Sequence, residues 1–154
     1  MTSDDDRTNS SATRSSVQLD SDAALRLLGS VSLGRIVFTR HALPTIRPVN
    51  HVLIDGDIVI RTHGDASLTR YTRHTGGEGA VVAYEADDID PDTHLGWSVV
   101  VTGYARLVTD PGELARYRAL LRPWGTQRMD HTVRIHPDLV TGVRLTDRDP
   151  SPFA

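Results

Sequence analysis

An Asp-Gly pair, Asp55-Gly56, separates two short runs of alternating and β-branched apolar residues in the segment HVLIDGDIVIRT (51–62). Asp-Gly favours the two-residue turns that join antiparallel strands, because such turns place their central residues at positive φ. The segment therefore predicts a β-hairpin. A sheet built around such a turn is antiparallel at that point, since parallel neighbours need a long crossover.

Further segments read as strands in hairpin order, with few helices between them. Gly103 lies inside the longest apolar run, where we expect a bulge or a bend. Short helices are predicted from Asp20 or Ser21, across 66–77, and from Asp110. Besides the hairpin strands, the predicted strands are 34–39, 79–87, 96–108, 131–137 and 139–145.

This pattern predicts a mainly β (α+β) fold: an antiparallel split β-barrel of about six strands with short peripheral helices. Along 46–54, apolar residues occur on both faces of the predicted strand. We therefore expect one face to line the barrel interior and the other to lie under a helix or a second subunit.

The chain has 154 residues, which fits one domain. Residues 1–18 are rich in Ser, Thr, Asp and Arg and contain almost no large apolar side chains, so we predict a disordered N-terminal tail. The folded domain is predicted over 19–148, followed by a C-terminal tail over 149–154.

The composition excludes several kinds of site. The chain has no cysteine, and all 17 basic residues are arginine, so thiolate ligands and lysine chemistry are excluded. A net charge of −3 and 5% aromatic residues argue against a nucleic-acid partner. The seven histidines form no close helical pair, and no metal site is predicted. No apolar run is long enough for a membrane span, so we expect a cytoplasmic protein without a membrane partner.

Four segments occur in the order and at the spacing typical of one family. The chain resembles the pyridoxamine 5′-phosphate oxidase-like family of FMN-binding split β-barrels, in particular its small actinobacterial-type members. The resemblance implies a homodimer with two FMN sites at the subunit interface. The four segments are LRLLGSVSLGRIVFT (25–39), PTIRPVNHVLIDGDIVIRT (44–62), VVAYEADDIDPDTHLGWSVVVTGYARLV (81–108) and PWGTQRMDHTVRIHPDLVTGVRL (123–145).

The resemblance also implies which residues contact FMN. The strand through Arg47, Pro48, Val49 and Asn50 would flank the isoalloxazine ring with its backbone polar groups. Pro48 donates no ladder hydrogen bond, which suits an edge strand. Without the resemblance, these polar residues read as solvated strand or turn residues.

Arg61-Thr62 would bind the ribityl phosphate, since the planar guanidinium of arginine bonds two phosphate oxygens. Relatives have a lysine near this phosphate where this chain has Ser67. Arg70, or Arg73 one turn later, is a candidate to supply the missing charge. Solvated helix-face arginines are the alternative.

Two tryptophan segments complete the implied site. Trp97-Ser98 would reach the flavin from the partner subunit, and Trp124 would lie near the dimethylbenzene edge of the ring. A core or interface residue is the alternative for Trp97, and a capping hydrophobic residue is the alternative for Trp124.

Three functions remain open at this stage. The first is an FMN-dependent oxidoreductase acting on an unidentified small molecule, in which the flavin supplies the chemistry and no catalytic side chain is assigned. The second is a deazaflavin-dependent reductase of the same fold. The third is a non-catalytic flavin-binding module. A haem-binding histidine is a weaker alternative.

Overall fold

The computed structural model describes residues 14–62, 67–74, 79–121 and 131–147. The described chain forms seven antiparallel strands and three short helices. In chain order they are β1 (Ser15–Leu19), α1 (Ser21–Gly29), β2 (Leu33–Arg40), β3 (Leu43–Ile54), β4 (Asp57–Thr62), α2 (Ser67–His74), β5 (Ala80–Ile89), β6 (Gly96–Leu107), α3 (Pro111–Leu120) and β7 (His131–Thr146).

Six of the strands close into a ring. The neighbours run in the order β7-β4-β3-β2-β5-β6, and β6 pairs again with β7. β1 lies outside this ring and pairs only with the end of β7 among the described strands, from Ser15↔Thr146 to Leu19↔Gly142. The predicted antiparallel split barrel is confirmed.

Two local predictions differ from the structure. β1 begins at Ser15, inside the segment predicted to be disordered, because pairing with β7 orders a stretch whose composition gives no sign of it. The two predicted C-terminal strands are one strand, β7, which continues through Pro137 next to a register shift in β6. Predictions for residues 1–13 and 148–154 lie outside the described residues.

The turn chemistry follows the sequence. Asp55 and Gly56 have φ values of 51° and 82°, as a two-residue hairpin turn requires. The pairing of β6 with β7 shifts register between Thr102 and Gly103, where a β-carbon would overlap the carbonyl oxygen of His136. Gly103 is thus the residue that lets the two backbones approach at the predicted bulge.

The hydrophobic core has two parts. The main core fills the barrel and includes Ile36, Ile60 and Tyr84, with α1 contributing Ala24 and Leu28 at one end. A smaller core lies on the outer face of the β3–β4 hairpin, where Ile54 and Val59 pack under Tyr117 and Leu121. α3 therefore covers the outside of the hairpin, and the expected burial of both faces holds for its part of β3. It does not hold at the start of the segment 46–54, where Ile46 is 56% exposed.

Within the described part of the chain, no helix has the length and apolar character needed to cross a membrane.

Candidate functional site

The barrel opens between β3 and β4. These strands pair only from Ile54↔Asp57 to His51↔Ile60. Beyond that point β3 pairs with β2 through Leu43, and β4 pairs with β7 through Thr62. Over 43–50, one edge of β3 therefore has no strand neighbour among the described residues. The gap that opens at Asn50 and Arg61 is the split in the barrel.

Asn50 and Arg61 lie on the same face of the sheet, on opposite sides of this gap. The registers place Val52 opposite Val59 on the outer face, so Asn50 and Arg61, each two residues further along, share that face. Arg61 Nη1 donates to the carbonyl oxygen of Leu121, 3.1 Å away, at the end of α3. The gap thus separates an amide side chain from an anchored guanidinium.

Two buried atoms at the gap have unused hydrogen-bonding capacity. Asn50 Oδ1 and Arg61 Nε make no hydrogen bond with any residue that the structure describes, although both residues make other interactions. A buried polar atom without a hydrogen bond costs about 1–3 kcal/mol.

Thr62 points the other way, into the barrel. Its hydroxyl lies 2.7 Å from that of Thr69, and both side chains are buried. This hydrogen bond joins the first turn of α2 to the end of β4. Arg70 is exposed on α2, while the side chains of Ser67 and Arg73 lie outside the described part of the structure.

The remaining predicted ring-edge residues lie along the open part of β3. Arg47 and Pro48 are exposed and Val49 is half-buried. Pro48 pairs with Arg35 of β2 and lies within the stretch that has no second strand neighbour. This position fits the expectation that Pro48 lies on an open strand edge.

Trp97 and Ser98 lie far from Arg61 within one chain. Trp97 pairs with Arg144 of β7, whereas Thr62 pairs with His131 at the other end of the same strand. Thirteen residues separate these positions, on the order of 40 Å along the strand. The two groups of predicted residues do not converge in one chain.

Trp97 is only 7% exposed and packs in the main core. That burial fits the core role that the sequence also allowed. Ser98 is half-buried and alternates with Trp97, so it lies on the outer face of β6. Trp124 lies outside the described residues.

A buried histidine follows Asn50 directly. His51 Nε2 is 2.8 Å from the carbonyl oxygen of Leu28, and its Nδ1 is 2.5 Å from the hydroxyl of Tyr84. The carbonyl accepts only, so Nε2 carries the proton and Nδ1 accepts from Tyr84. Burial lowers the pKa of His51. His51 is neutral and fixes β3 to α1 and β5 where the barrel splits.

An open cleft of about 730 Å³ lies beside β2 and β3, and its lining includes the buried His51 and the outward-facing Val52. Its wall includes Arg35, whose Nη1 lies 3.0 Å from Glu85 Oε2 and 3.4 Å from Asp87 Oδ2. Partial burial and the neighbouring Asp87 raise the pKa of Glu85 to about 7, and Arg35 offsets part of that rise. The residues that line the cleft include Ser32, Leu33, Val52, Asp88 and Leu120.

Sequence reasoning did not find the His51–Tyr84 pair, the Arg35 cluster or the cleft. A histidine on the apolar face of a predicted strand was the available signal for a buried polar contact.

The described residues contain no group of three or more His, Asp or Glu side chains placed to hold a metal ion.

An antiparallel six-stranded barrel that opens between two of its strands defines a split-barrel protein. The family described as pyridoxamine 5′-phosphate oxidase matches residues 20–144. The chain therefore belongs to the pyridoxamine 5′-phosphate oxidase family, as the sequence resemblance implies.

Relatives of known sequence and structure agree with this assignment. An uncharacterised protein of Mycobacterium tuberculosis is 52% identical over 139 residues, which cover 90% of this chain and 91% of that protein. The FAD-binding protein of Mycobacterium smegmatis is 37% identical, with a TM-score of 0.68, over 84% of this chain and 97% of that one. A Corynebacterium glutamicum protein, provisionally named as a pyridoxamine 5′-phosphate oxidase, is 33% identical with a TM-score of 0.71, over 87% and 96% of the two chains.

Proposed function

We propose that this protein binds a flavin at the split of its barrel and acts as a flavin-dependent oxidoreductase on a small molecule. The observation that carries the proposal is the separation of β3 from β4 after His51↔Ile60. It leaves Asn50 and Arg61 on one face at opposite sides of a gap, next to an open strand edge. A flat heterocycle with polar edges and a phosphate tail matches this arrangement.

The residues at the gap fit the FMN moiety. The edge of β3 over Arg47–Asn50 offers backbone N–H and C=O groups to the polar edge of the ring, except at Pro48, which has no N–H. Asn50 Oδ1 would accept a hydrogen bond from a ring N–H. Arg61 would donate to the phosphate, with Arg70 and the first turn of α2 as further sources of positive potential.

When bound, a flavin supplies hydride or electron transfer at its ring. The protein residues would orient the ring, hold the phosphate and exclude water from one side of the site. We assign no general acid or base to the chain. A lysine is absent from the phosphate region, so Arg61 carries more of the charge compensation in this proposal.

We further propose that the site is completed by a second copy of the chain. Trp97 and Ser98 lie too far from Arg61 to reach the same ligand within one chain, whereas a partner subunit could bring its own Ser98 to the gap. A group of exposed apolar residues on the outer face of β5, β6 and β7 supplies a surface for this contact. It consists of Val81, Val100, Tyr104 and Leu139, which are 41–59% exposed. We call it the outer patch.

FAD is the second candidate cofactor. A relative that shares 37% of its residues with this chain is an FAD-binding protein. FAD contains the FMN moiety, so the same residues at the gap would serve either molecule. The deazaflavin coenzyme remains the alternative that would make the protein a deazaflavin-dependent reductase.

Two measurements test the proposal. The absorption spectrum of the purified protein separates a flavin, which has two bands in the visible and near-ultraviolet range, from a deazaflavin, which has one. Calorimetric titration of the cofactor-free protein with FMN, FAD and the deazaflavin coenzyme then gives each affinity. Binding of FMN or FAD supports the proposal, and binding of none of the three contradicts it. If only the deazaflavin coenzyme binds, the proposed cofactor becomes deazaflavin instead of flavin.

A further inference from the structure

The cleft beside β2 is next to the proposed flavin site but is not part of it. Leu33 and Arg35, in its lining, pair with Asn50 and Pro48 across β2 and β3. Val52, also in its lining, is on the same face two residues after Asn50. The cleft and the gap therefore lie on one continuous surface of the sheet.

The end of α3 joins the cleft to Arg61. Leu120 lines the cleft, and the carbonyl oxygen of the next residue, Leu121, accepts the hydrogen bond from Arg61 Nη1. On the sheet, Arg61 and Leu33 are two strand positions apart, roughly 10 Å at the usual strand spacing and more where β3 and β4 diverge. A ligand that starts at Arg61 reaches the cleft by extending past Asn50.

The lining of the cleft has the chemistry of a nucleoside site. Leu33, Val52 and Leu120 provide apolar walls. Arg35 is held by Glu85 and Asp87, so its flat guanidinium is a fixed surface on which a purine ring stacks. Asp88 provides a carboxylate of the kind that hydrogen-bonds ribose hydroxyls in dinucleotide sites. The volume of about 730 Å³ lies within the usual range for small-molecule sites.

We propose that this cleft binds the adenosine half of FAD, with its purine against Arg35 and its ribose hydroxyls at Asp88. The inference rests on the proposed flavin site, because the cleft is placed to receive the part of FAD that extends beyond the FMN moiety. It implies that the protein prefers FAD to FMN, and that the preference is set by residues outside the flavin-ring site.

The test compares FAD with FMN on the full chain and on two variants, by calorimetric titration of the cofactor-free protein. Leu120→Trp fills the cleft from an exposed helix position, and Asp88→Ala removes the ribose partner. We expect the unmodified protein to bind FAD at least about tenfold more tightly than FMN. Both variants should lose most of that difference while their FMN affinity stays the same.

Ala115→Trp is the matched control for Leu120→Trp. It introduces the same side chain at an exposed position of α3 outside the cleft. The control should keep the preference for FAD. Thermal melting checks that each variant is folded, and Asp88→Ala gives an independent result if the tryptophan variant does not fold.

The outcomes separate this inference from the proposed function. Equal affinities of the unmodified protein for FAD and FMN would overturn the adenosine site and leave the flavin site in place. A preference for FAD that survives in both variants would also overturn it. Binding of neither FMN nor FAD would overturn the flavin site, and the adenosine site with it.

Discussion

The hydroxyl of Tyr84 donates to Nδ1 of His51 over 2.5 Å, and the two rings meet edge to face at 85°. His51 in turn donates from Nε2 to the end of α1. With these directions Nδ1 accepts a hydrogen bond, which only the neutral imidazole can do. A buried polar pair thus holds the strand that carries Asn50, and its stability depends on proton concentration.

The first prediction is the pH dependence of stability that His51 produces. Its pKa is lowered from 6.5 by burial, so the unfolded chain binds the proton more readily than the folded one. The contribution of His51 is present above pH 6.5 and is lost as the pH falls through the lower pKa of the folded state. Chemical denaturation from pH 8 to pH 5 should show the free energy of unfolding decreasing.

Titration of Glu85 changes the free energy of unfolding with pH in the opposite direction, so the comparison is made without this carboxyl group. Its raised pKa of about 7 means that stability falls as the pH rises from 4.5, its usual value, towards 7. The measurement is therefore made in a Glu85→Gln background, with and without His51→Gln. Equal slopes with pH in the two proteins would contradict the role assigned to His51.

The second prediction concerns Gly34, which lies beside Tyr84 on the neighbouring strand β5. A β-carbon at Gly34 would overlap the hydroxyl and ring edge of Tyr84. Gly34→Ala should lower the free energy of unfolding by about 1–3 kcal/mol, the usual cost of overpacking. In a Tyr84→Ala background the same substitution should cost much less, because the clash is gone. If Gly34→Ala lowered the free energy of unfolding equally in both backgrounds, a clash with Tyr84 would not be the cause.

The third prediction tests the phosphate contact of Arg61. Arg61→Ala should weaken FMN binding by about 1.5–3 kcal/mol, the loss of a charge-assisted hydrogen bond, which corresponds to roughly ten- to a hundredfold in affinity. Riboflavin lacks the phosphate, so it should bind the variant and the unmodified protein equally. Fluorescence titration at fixed salt measures both affinities.

Arg118→Ala is the control for Arg61→Ala, since Arg118 is an exposed arginine on α3. It should leave both affinities unchanged. If Arg61→Ala weakened FMN and riboflavin to the same extent, general loss of structure would explain the result, and Arg70 would become the candidate for the phosphate contact.

The fourth prediction concerns the outer patch. A shared site calls for a stable homodimer, which buries well over roughly 2,000 Å² in total. Leu139 is 59% exposed, so Leu139→Arg should spare the barrel core and convert the dimer to a monomer. Sedimentation velocity at micromolar concentration gives the mass. An unmodified protein that sediments as a monomer would contradict the shared site.

The fifth prediction separates the N-terminal tail from β1. Deletion of residues 1–13 should leave the melting temperature unchanged, because this composition offers little to bury. Deletion of residues 1–19 removes β1 and the packing of Leu19 on the main core. A loss of about 2 kcal/mol would lower the melting temperature by roughly 4–8 °C. Equal melting temperatures for the two deletions would show that β1 adds no stability.

Local signals made much of the fold predictable. The Asp55-Gly56 turn, the bulge at Gly103 and the cap at Asp110 are each encoded within a few residues. The position of β1 was not predictable in this way. Its pairing partner, the end of β7, lies about 125 residues further along the chain, and its own composition resembles a solvated tail.

The candidate site was predictable in part for the same reason. Motif resemblance identified Asn50 and Arg61, which lie close to each other in sequence and flank the gap. The Tyr84–His51 contact spans 33 residues and involves residue types that are also common in plain strands. The cleft depends on how α3, β2 and β5 pack together, which no single segment encodes.

The long strand β7 has a consequence for the way the barrel opens. Its first part, Val133–Ile135, has strand neighbours on both sides, as does its last part, Gly142–Leu145. Between them, among the described strands, His136, Pro137 and residues 139–141 pair only with β6, and the register shift next to Gly103 lies near the start of this middle section. A strand segment that is hydrogen-bonded to one neighbouring strand opens more easily than a segment that is hydrogen-bonded to two. The middle of β7 has fewer backbone partners than the stretches on either side, so we expect its amide hydrogens to exchange with solvent before theirs.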